Sequence, residues 1–524
     1  MTTDRHVLTI DLGTSGPKAA VVSAAGVIVG SARAAVRTEL GPDGAAEQDP
    51  DAVWAATLQS AQSALADAGA DPASFVAVAA SAQYSSIVPV DADGSAVGNM
   101  VLWIDQRGAP KRLKRLDGYP RRADSPAALL RWLRVHGLPP IDAAMSLNHM
   151  RWLRYARPSQ YEQTEAFLEP VDYLTARFTG RLTANQCSAY MMLLTDNRAL
   201  GATRWDPRLV AQSLIDPEKL PELVPVGNEV GTLLPAVADA LGLPATTPVL
   251  SGINDTQAGA IAAGAFEGSH AGLSLGTSSV ITTHVEKKKT GLRTGLFTLP
   301  SPIGDRHLLS AENGVAGVAV DHFLGQVVYA DDPFSTPETV DDRYRAFSEA
   351  AEAAGAGAGG VLFLPWLRGS MAPSGDPRLR GGFLNVGLDT TRSDLARAVF
   401  EGVALNLRWL RGPVESFVKR PLSHFRFYGG GAGSDLWAQV MADVLGCPIH
   451  QLADPSFTNN LGTAMFACER LGLVDAGEVA ERVPVRRVYE PDPALEARYD
   501  ELAEVFVKTF KAVRPLFRAV SSTR

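Results

Sequence analysis

Short apolar runs at 7–10, 18–23, 75–80 and 86–90 break off at small or polar residues, and runs of that length and bounding predict β-strands. Residues 51–67 instead space their apolar side chains for a helix with Trp54 on its inner face. The preceding Asp49-Pro50-Asp51 supplies a start signal. Strands and helices in alternation predict an α/β fold. Residues 220–248 are rich in Pro and Gly, which places a boundary between two halves near 246–250. The Ala/Gly run at 350–360 predicts a surface loop or frayed helix end, and beyond 470 the pattern turns to charged helix with a basic tail.

The first run delivers Asp11 into Leu12-Gly13-Thr14-Ser15, and Lys18 opens the next strand. Strand, Gly-Thr-Ser turn and strand recur at 273–282, where Leu275-Gly276-Thr277-Ser278 repeats the same four residues. Such a turn offers backbone N–H groups and hydroxyls to phosphate oxygens, and Asp11 can face a divalent cation. An ordinary β-hairpin with a turn aspartate accounts for the first stretch taken alone. Two halves that each present such a hairpin imply a nucleotide held in a cleft between them.

With 524 residues, 46% of them hydrophobic, the chain is long enough for two or three domains. A net charge of -8 argues against a nucleic-acid partner. Basic residues are nonetheless dense from Arg107 to Arg134, including Arg121 and Arg122, a pattern that reads as a solvated helix face. Cys187, Cys447 and Cys468 are too scattered for a disulfide framework or a zinc site, and no apolar stretch approaches membrane-spanning length. A cytoplasmic protein with no membrane partner is expected, and a homodimer is left open.

At 251–260, Ser-Gly-Ile-Asn-Asp-Thr-Gln-Ala-Gly-Ala, a strand end leads into a helix of very small residues with Asp255 at the junction. Asp255 reads either as a helix N-cap or as a carboxylate that accepts a proton from a substrate hydroxyl. A third glycine cluster, Gly429 to Ser434, follows a strand at 424–428 and precedes a helix from about Asp435. It does not fit Gly-x-Gly-x-x-Gly, so a dinucleotide site is not expected.

These elements together resemble the FGGY carbohydrate kinases, within the larger actin, hexokinase and Hsp70 ATPase fold. The likeness rests on Asp11-Leu-Gly-Thr-Ser, Glu47-Gln-Asp-Pro, Leu102-Trp-Ile-Asp-Gln-Arg107, Asn254-Asp255-Thr-Gln-Ala-Gly259, Leu275-Gly-Thr-Ser278, Phe363-Leu-Pro-Trp366, Arg392 to Ala404 and Gly429-Gly-Gly-Ala-Gly-Ser434. The resemblance implies two ribonuclease-H-like α/β domains with an interdomain cleft: 1–248, mainly sugar-binding with the first phosphate hairpin, and 249–475, mainly ATP-binding with the catalytic Asp. Residues 476–524 would form a helical tail packed on the body. It implies Asp255 as the general base, Asp11 and Asp255 facing Mg2+, and Gly13, Thr14, Ser15, Lys18, Gly276, Thr277, Gly317, Gly430, Gly431 and Ala432 around ATP. Sugar contacts would come from Gln83, Tyr84, Ser85, Trp103, Asp105 and Asp255.

The implied acceptor is a small sugar or polyol, first a ketopentose such as xylulose, with ribulose, glycerol, a tetritol or a deoxy-sugar as alternatives. Xylulose kinases of this family typically carry Gln-Met-His-Gly where this chain has Gln83-Tyr84-Ser85-Ser86, so a hydroxyl replaces an imidazole. His149 stands where Lys is usual, and Gly369-Ser370-Met371 replaces Gly-Glu-Arg. A reading of another class is a nucleotide-dependent switch like actin or Hsp70 with no small-molecule acceptor. Asp255 and the Trp103–Arg107 loop argue against it.

Overall fold

The computed structural model describes residues 5–120, 123–330 and 342–521, so Arg121 and Arg122 of the basic run lie outside the described residues. Its two halves repeat one sheet plan. In the first, His6–Gly13, Gly16–Ser23 and Ile28–Arg33 form an antiparallel meander, and Phe75–Ala82 and Pro248–Leu250 extend it in parallel. In the second, Ala271–Leu275, Ser278–Val285 and His307–Val315 make the meander, and Phe425–Tyr428 and Ile449–Leu452 extend it in parallel. Both sheets run third, second, first, fourth, fifth strand, and the second is widened at both edges.

The first strand is buried on both faces, with Val7, Leu8, Ile10 and Leu12 fully covered. This explains its continuous rather than alternating apolar run. Helix Pro50–Ala68 covers the first meander. The Asp49 carboxylate accepts the Asp51 N–H at 2.9 Å, Gly69 ends the helix in the left-handed conformation, and Trp54 meets Phe178 edge-on at 5.0 Å.

The passage between the halves lies later than the expected boundary at 248. Pro248–Leu250 and Ile253–Asn254 both pair with Phe75–Ala82, so the first sheet runs to Asn254, and the second starts at Ala271. The Pro/Gly-rich stretch holds strand Glu229–Thr232 and helix Pro235–Leu241.

Helix Asp255–Ala262 makes the crossing, and helix Thr458–Arg470 from the second half lies against it and against the first sheet. A Cβ at Gly462 would stand 1.8 Å from the Ala258 carbonyl oxygen, so only glycine permits this crossing. The small residues foreseen at 255–260 thus serve helix contact. One apolar cluster, including Val7, Ile261, Leu461 and Met465, continues through the seam. Beyond it, helix Glu496–Ser521 packs Phe506 and Phe510 against Trp366 at 5.3 and 5.1 Å, closing the core of the second half.

Candidate active site

Parallel strands present their carboxyl ends on one edge of a sheet, where loops can converge on a ligand. Register places Asp11 opposite Ser81 and Ser81 opposite Ile253, so Asp11, the Gln83 loop and Asp255 emerge side by side from the first sheet. The corresponding edge of the second sheet carries the Gly276-Thr277 turn, the Gly429–Gly433 turn and the start of helix Thr458–Arg470.

The two edges are tied together at Asp11. Its carboxylate, 3% exposed, accepts from Ser81 Oγ at 3.1 Å and from Asn459 Nδ2 at 3.2 and 3.3 Å. Lys18, its direct cross-strand partner, stands 3.9 Å away and donates to the Ser456 carbonyl at 2.9 Å. Burial raises the Asp11 carboxyl above the ordinary range, and Lys18, Asn459 and Ser81 pull it back. Asn460 adds a second tie, donating through Nδ2 to Thr9 Oγ1 and to the carbonyls of Thr9 and Lys18.

Asp255 is not the helix N-cap. Asn254 holds that place, in a reciprocal capping box with Gln257, which leaves Asp255 in the first turn. Its Oδ1 accepts from the Thr256 N–H at 2.7 Å and from Thr256 Oγ1 at 3.4 Å. Burial, then the charge of Asp11, pushes the carboxyl up to about 7, and Glu312 adds to the rise. Glu312 arises from strand His307–Val315, is itself raised by burial, and is bonded by Ser278 of the second hairpin.

The residues expected to contact the sugar form a connected shelf. Thr14 Oγ1 donates to Gln83 Oε1 at 2.6 Å and accepts from Trp103 Nε1 at 3.0 Å, and Gln48 Nε2 donates to the Thr14 carbonyl at 2.7 Å. The Thr14 hydroxyl therefore joins the hairpin to the Gln83 loop, whereas Ser15 is exposed at the turn. Tyr84 is raised by burial and by Asp255, and its hydroxyl bonds Thr256 across the seam. Ser85 has a φ of 63°, a left-handed conformation that costs on the order of 1 kcal/mol in a non-glycine residue and persists where surroundings over-determine it. The Ser86 N–H donates to Glu169 Oε2 at 3.3 Å, and the Trp103 N–H to Ser86 Oγ at 3.0 Å.

Asp105 does not face this shelf. It is fully buried, and its carboxylate accepts the Ala46 N–H at 2.8 Å, the Arg107 N–H at 2.7 Å and Arg107 Nε at 2.9 Å, so it braces the loop. Arg107 also bonds Glu47 and lies over the Trp152 ring at 3.9 Å. His149 is fully buried, with the Ser85 backbone as a hydrogen-bond neighbour of its ring. Burial lowers its imidazole to about 4, which keeps it neutral.

On the nucleotide side Thr277 is exposed at the turn, and its carbonyl accepts the Ala316 N–H at 3.1 Å. The Gly317 N–H is taken by the Gly276 carbonyl at 2.9 Å, so Gly317 supports the hairpin from behind. A Cβ there would stand 2.6 Å from that oxygen. Gly430 is exposed and Gly431 partly so. Ala432, expected beside the nucleotide, is fully buried with its carbonyl bonded by Gln451 Nε2 at 2.7 Å; it fixes the turn from inside.

Asn459, Glu312, Glu169 and Thr256 were not anticipated from the sequence. Only Glu312 carried a signal there, a lone carboxylate in an apolar strand two residues before the Gly314 bend. Among the described residues no cluster of three His, Cys, Asp or Glu side chains is arranged to hold a metal alone. The charge of Asp11 acts on Asp255, and a pair of carboxylates so related suits a cation that takes most of its ligands from phosphates and water. No helix of the described residues is long and apolar enough to cross a membrane.

The xylulose kinase of Staphylococcus epidermidis is 26% identical over 512 residues, covering 97% of both chains. Among solved structures, ligand-bound xylulose kinase from Lactobacillus acidophilus superposes with a TM-score of 0.83 at 22% identity, covering 98% of this chain and 100% of that one. Gluconate kinase from the same organism gives 0.82 at 22% identity, covering 97% and 98%. Two family models, the N-terminal and C-terminal domains of the FGGY carbohydrate kinases, match residues 6–262 and 271–469. The repeated sheets, the paired hairpins and these matches agree, and the chain belongs to the FGGY family of carbohydrate kinases.

Proposed function

We propose that the protein transfers the γ-phosphoryl group of ATP to a hydroxyl of a small sugar or polyol, first of all a ketopentose such as xylulose, with Asp255 as general base. The observation that carries this reading is the Asp255 carboxyl, held at about 7 between Asp11 and the Tyr84 loop. A base with that affinity can take the acceptor hydroxyl's proton near neutral pH and still release it afterwards. Exposed turn residues Ser15 and Thr277, with Gly13 and Gly276, supply donors where charge develops on the transferring group. Mg2+, when bound, would offset phosphate charge, and Asp11 with Asp255 are the residues that would hold it. Asn459 fixes the orientation of the Asp11 carboxylate.

The acceptor would rest on Gln83, Tyr84 and Ser85, with one face against the half-buried Trp103 ring. Similarity to xylulose kinases supports the ketopentose, and three buried free thiols suit the reducing cytoplasm. The test is ADP release from ATP across a panel of ketopentoses, glycerol, a tetritol and an aldonate. A ketopentose should give the highest kcat/KM. ADP release indifferent to every acceptor, or stimulated only by polypeptide, would overturn the reading.

A further inference from the structure

Behind the shelf sits a fully buried carboxyl group that the phosphoryl transfer does not use. Glu169, 0% exposed, ends the short strand Ala166–Leu168 and precedes helix Pro170–Thr179. It stands at the N-cap position of that helix, but its side chain makes no capping bond and is held by two other elements. One oxygen is bonded by Ser146 Oγ, at the start of helix Ser146–Ala156, and the other accepts the Ser86 N–H at 3.3 Å, with the Ser85 N–H also directed at it. Ser86 passes the connection on: its Oγ accepts the Trp103 N–H, Trp103 Nε1 reaches Thr14, and Thr14 reaches Gln83. All of Gln83, Ser85, Ser86 and Trp103 thus trace back, within a few bonds, to one carboxyl.

We propose that Glu169 is the positioning residue of the acceptor shelf, holding the Gln83–Ser86 loop, with its left-handed Ser85, in the shape that receives the sugar. The inference rests on the reading that this loop contacts the acceptor. Left-handed Ser85 is intrinsically unfavourable, and N–H acceptance by a buried carboxyl is what over-determines it. Burial raises Glu169 well above the ordinary range, with Asp172 adding to the rise; an amide of the same shape keeps one oxygen for the loop N–H groups, and its NH2 can donate to the Ser146 hydroxyl oxygen in place of the bond that Ser146 donates to the carboxyl.

The test is steady-state kinetics of the full chain with D-xylulose, or with the best acceptor of the panel, on Glu169→Ala and Glu169→Gln, beside Tyr84→Phe and Ser85→Gly. Glu169→Ala should raise the acceptor KM roughly tenfold or more, since a lost buried hydrogen bond commonly amounts to a factor of that size. The KM for ATP and the affinity for a non-hydrolysable ATP analogue should stay within about twofold. Glu169→Gln should restore the acceptor KM to within a few-fold of the parent, which mere filling of space would not achieve. If Tyr84→Phe or Ser85→Gly raises the acceptor KM while Glu169→Ala leaves it unchanged, the positioning role is refuted. If none of the loop variants moves it, the assignment of the loop to the acceptor fails instead. Should Glu169→Ala not fold, judged by its melting curve, Glu169→Gln with Ser146→Ala decides. Parent-like acceptor KM in Ser146→Ala together with a KM raised tenfold in Glu169→Gln would also overturn the proposal.

Discussion

The first and second hairpins carry the same four residues, Leu-Gly-Thr-Ser, and turn differently. In the first, Gly13 pairs with Gly16, so Thr14 and Ser15 alone make the turn; in the second, Leu275 pairs with Ser279 and three residues stand between. The surroundings diverge further. Thr14 is bound by its hydroxyl to Gln83 and Trp103, while Thr277 is exposed and bonded through its carbonyl to Ala316. One hairpin is wired into the Gln83–Trp103 shelf, and the other is braced within the second half. Duplicated sequence therefore fixes a strand-turn-strand shape, and the residues packed around it divide the labour.

Asp255 feels the charge of Asp11 on the first hairpin and of Glu312, which Ser278 of the second hairpin bonds, so its loss should have the largest effect. Asp255→Ala should lower kcat by roughly 10² to 10⁴ while ATP binding, followed by calorimetry, persists. In the parent enzyme kcat/KM should fall as pH drops below about 7, because the base must be ionised and its carboxyl lies at about 7. A flat profile from pH 6 to 8 would remove Asp255 from that role.

Gly462→Ala probes the seam that keeps the hairpins facing each other. The added methyl meets backbone rather than a movable side chain, so a loss of about 1–3 kcal/mol is expected, read from the melting temperature. Thr14→Val should raise the acceptor KM by about tenfold, and Thr277→Val should leave that KM alone and weaken ATP instead. Equal effects on both substrates would erase the distinction between the hairpins. Lys18→Ala should change the KM for ATP by only about two- to fivefold, since its ammonium is partly exposed and divided between Asp11 and Ser456.

Local signals in the sequence carried much of this. Asp49-Pro50 marked a helix start that the structure has, and the repeated Leu-Gly-Thr-Ser marked both hairpins. Asn254-Asp-Thr-Gln257 also spelled a capping box, which assigns the cap to Asn254 and frees Asp255; reading the aspartate alone missed it. At 220–248 Pro and Gly shape short elements of the first half, strand Glu229–Thr232 and helix Pro235–Leu241, and the first sheet continues past them to Asn254. Asn459 and Glu169 were invisible for a different reason. Their partners, Asp11 and Ser86, lie 448 and 83 residues away, and no local pattern encodes a bond that exists only after the sheets assemble.

The placement of helix Thr458–Arg470 against strands from the beginning of the chain has a consequence for biosynthesis. Asn460 of that helix lies 451 residues after Thr9, so a ribosome must add that length before these strands receive their cover. The nascent N-terminal portion consequently waits with an oily flank open to solvent, and capture by chaperones during that interval, more than any late proofreading, should govern the yield of native enzyme.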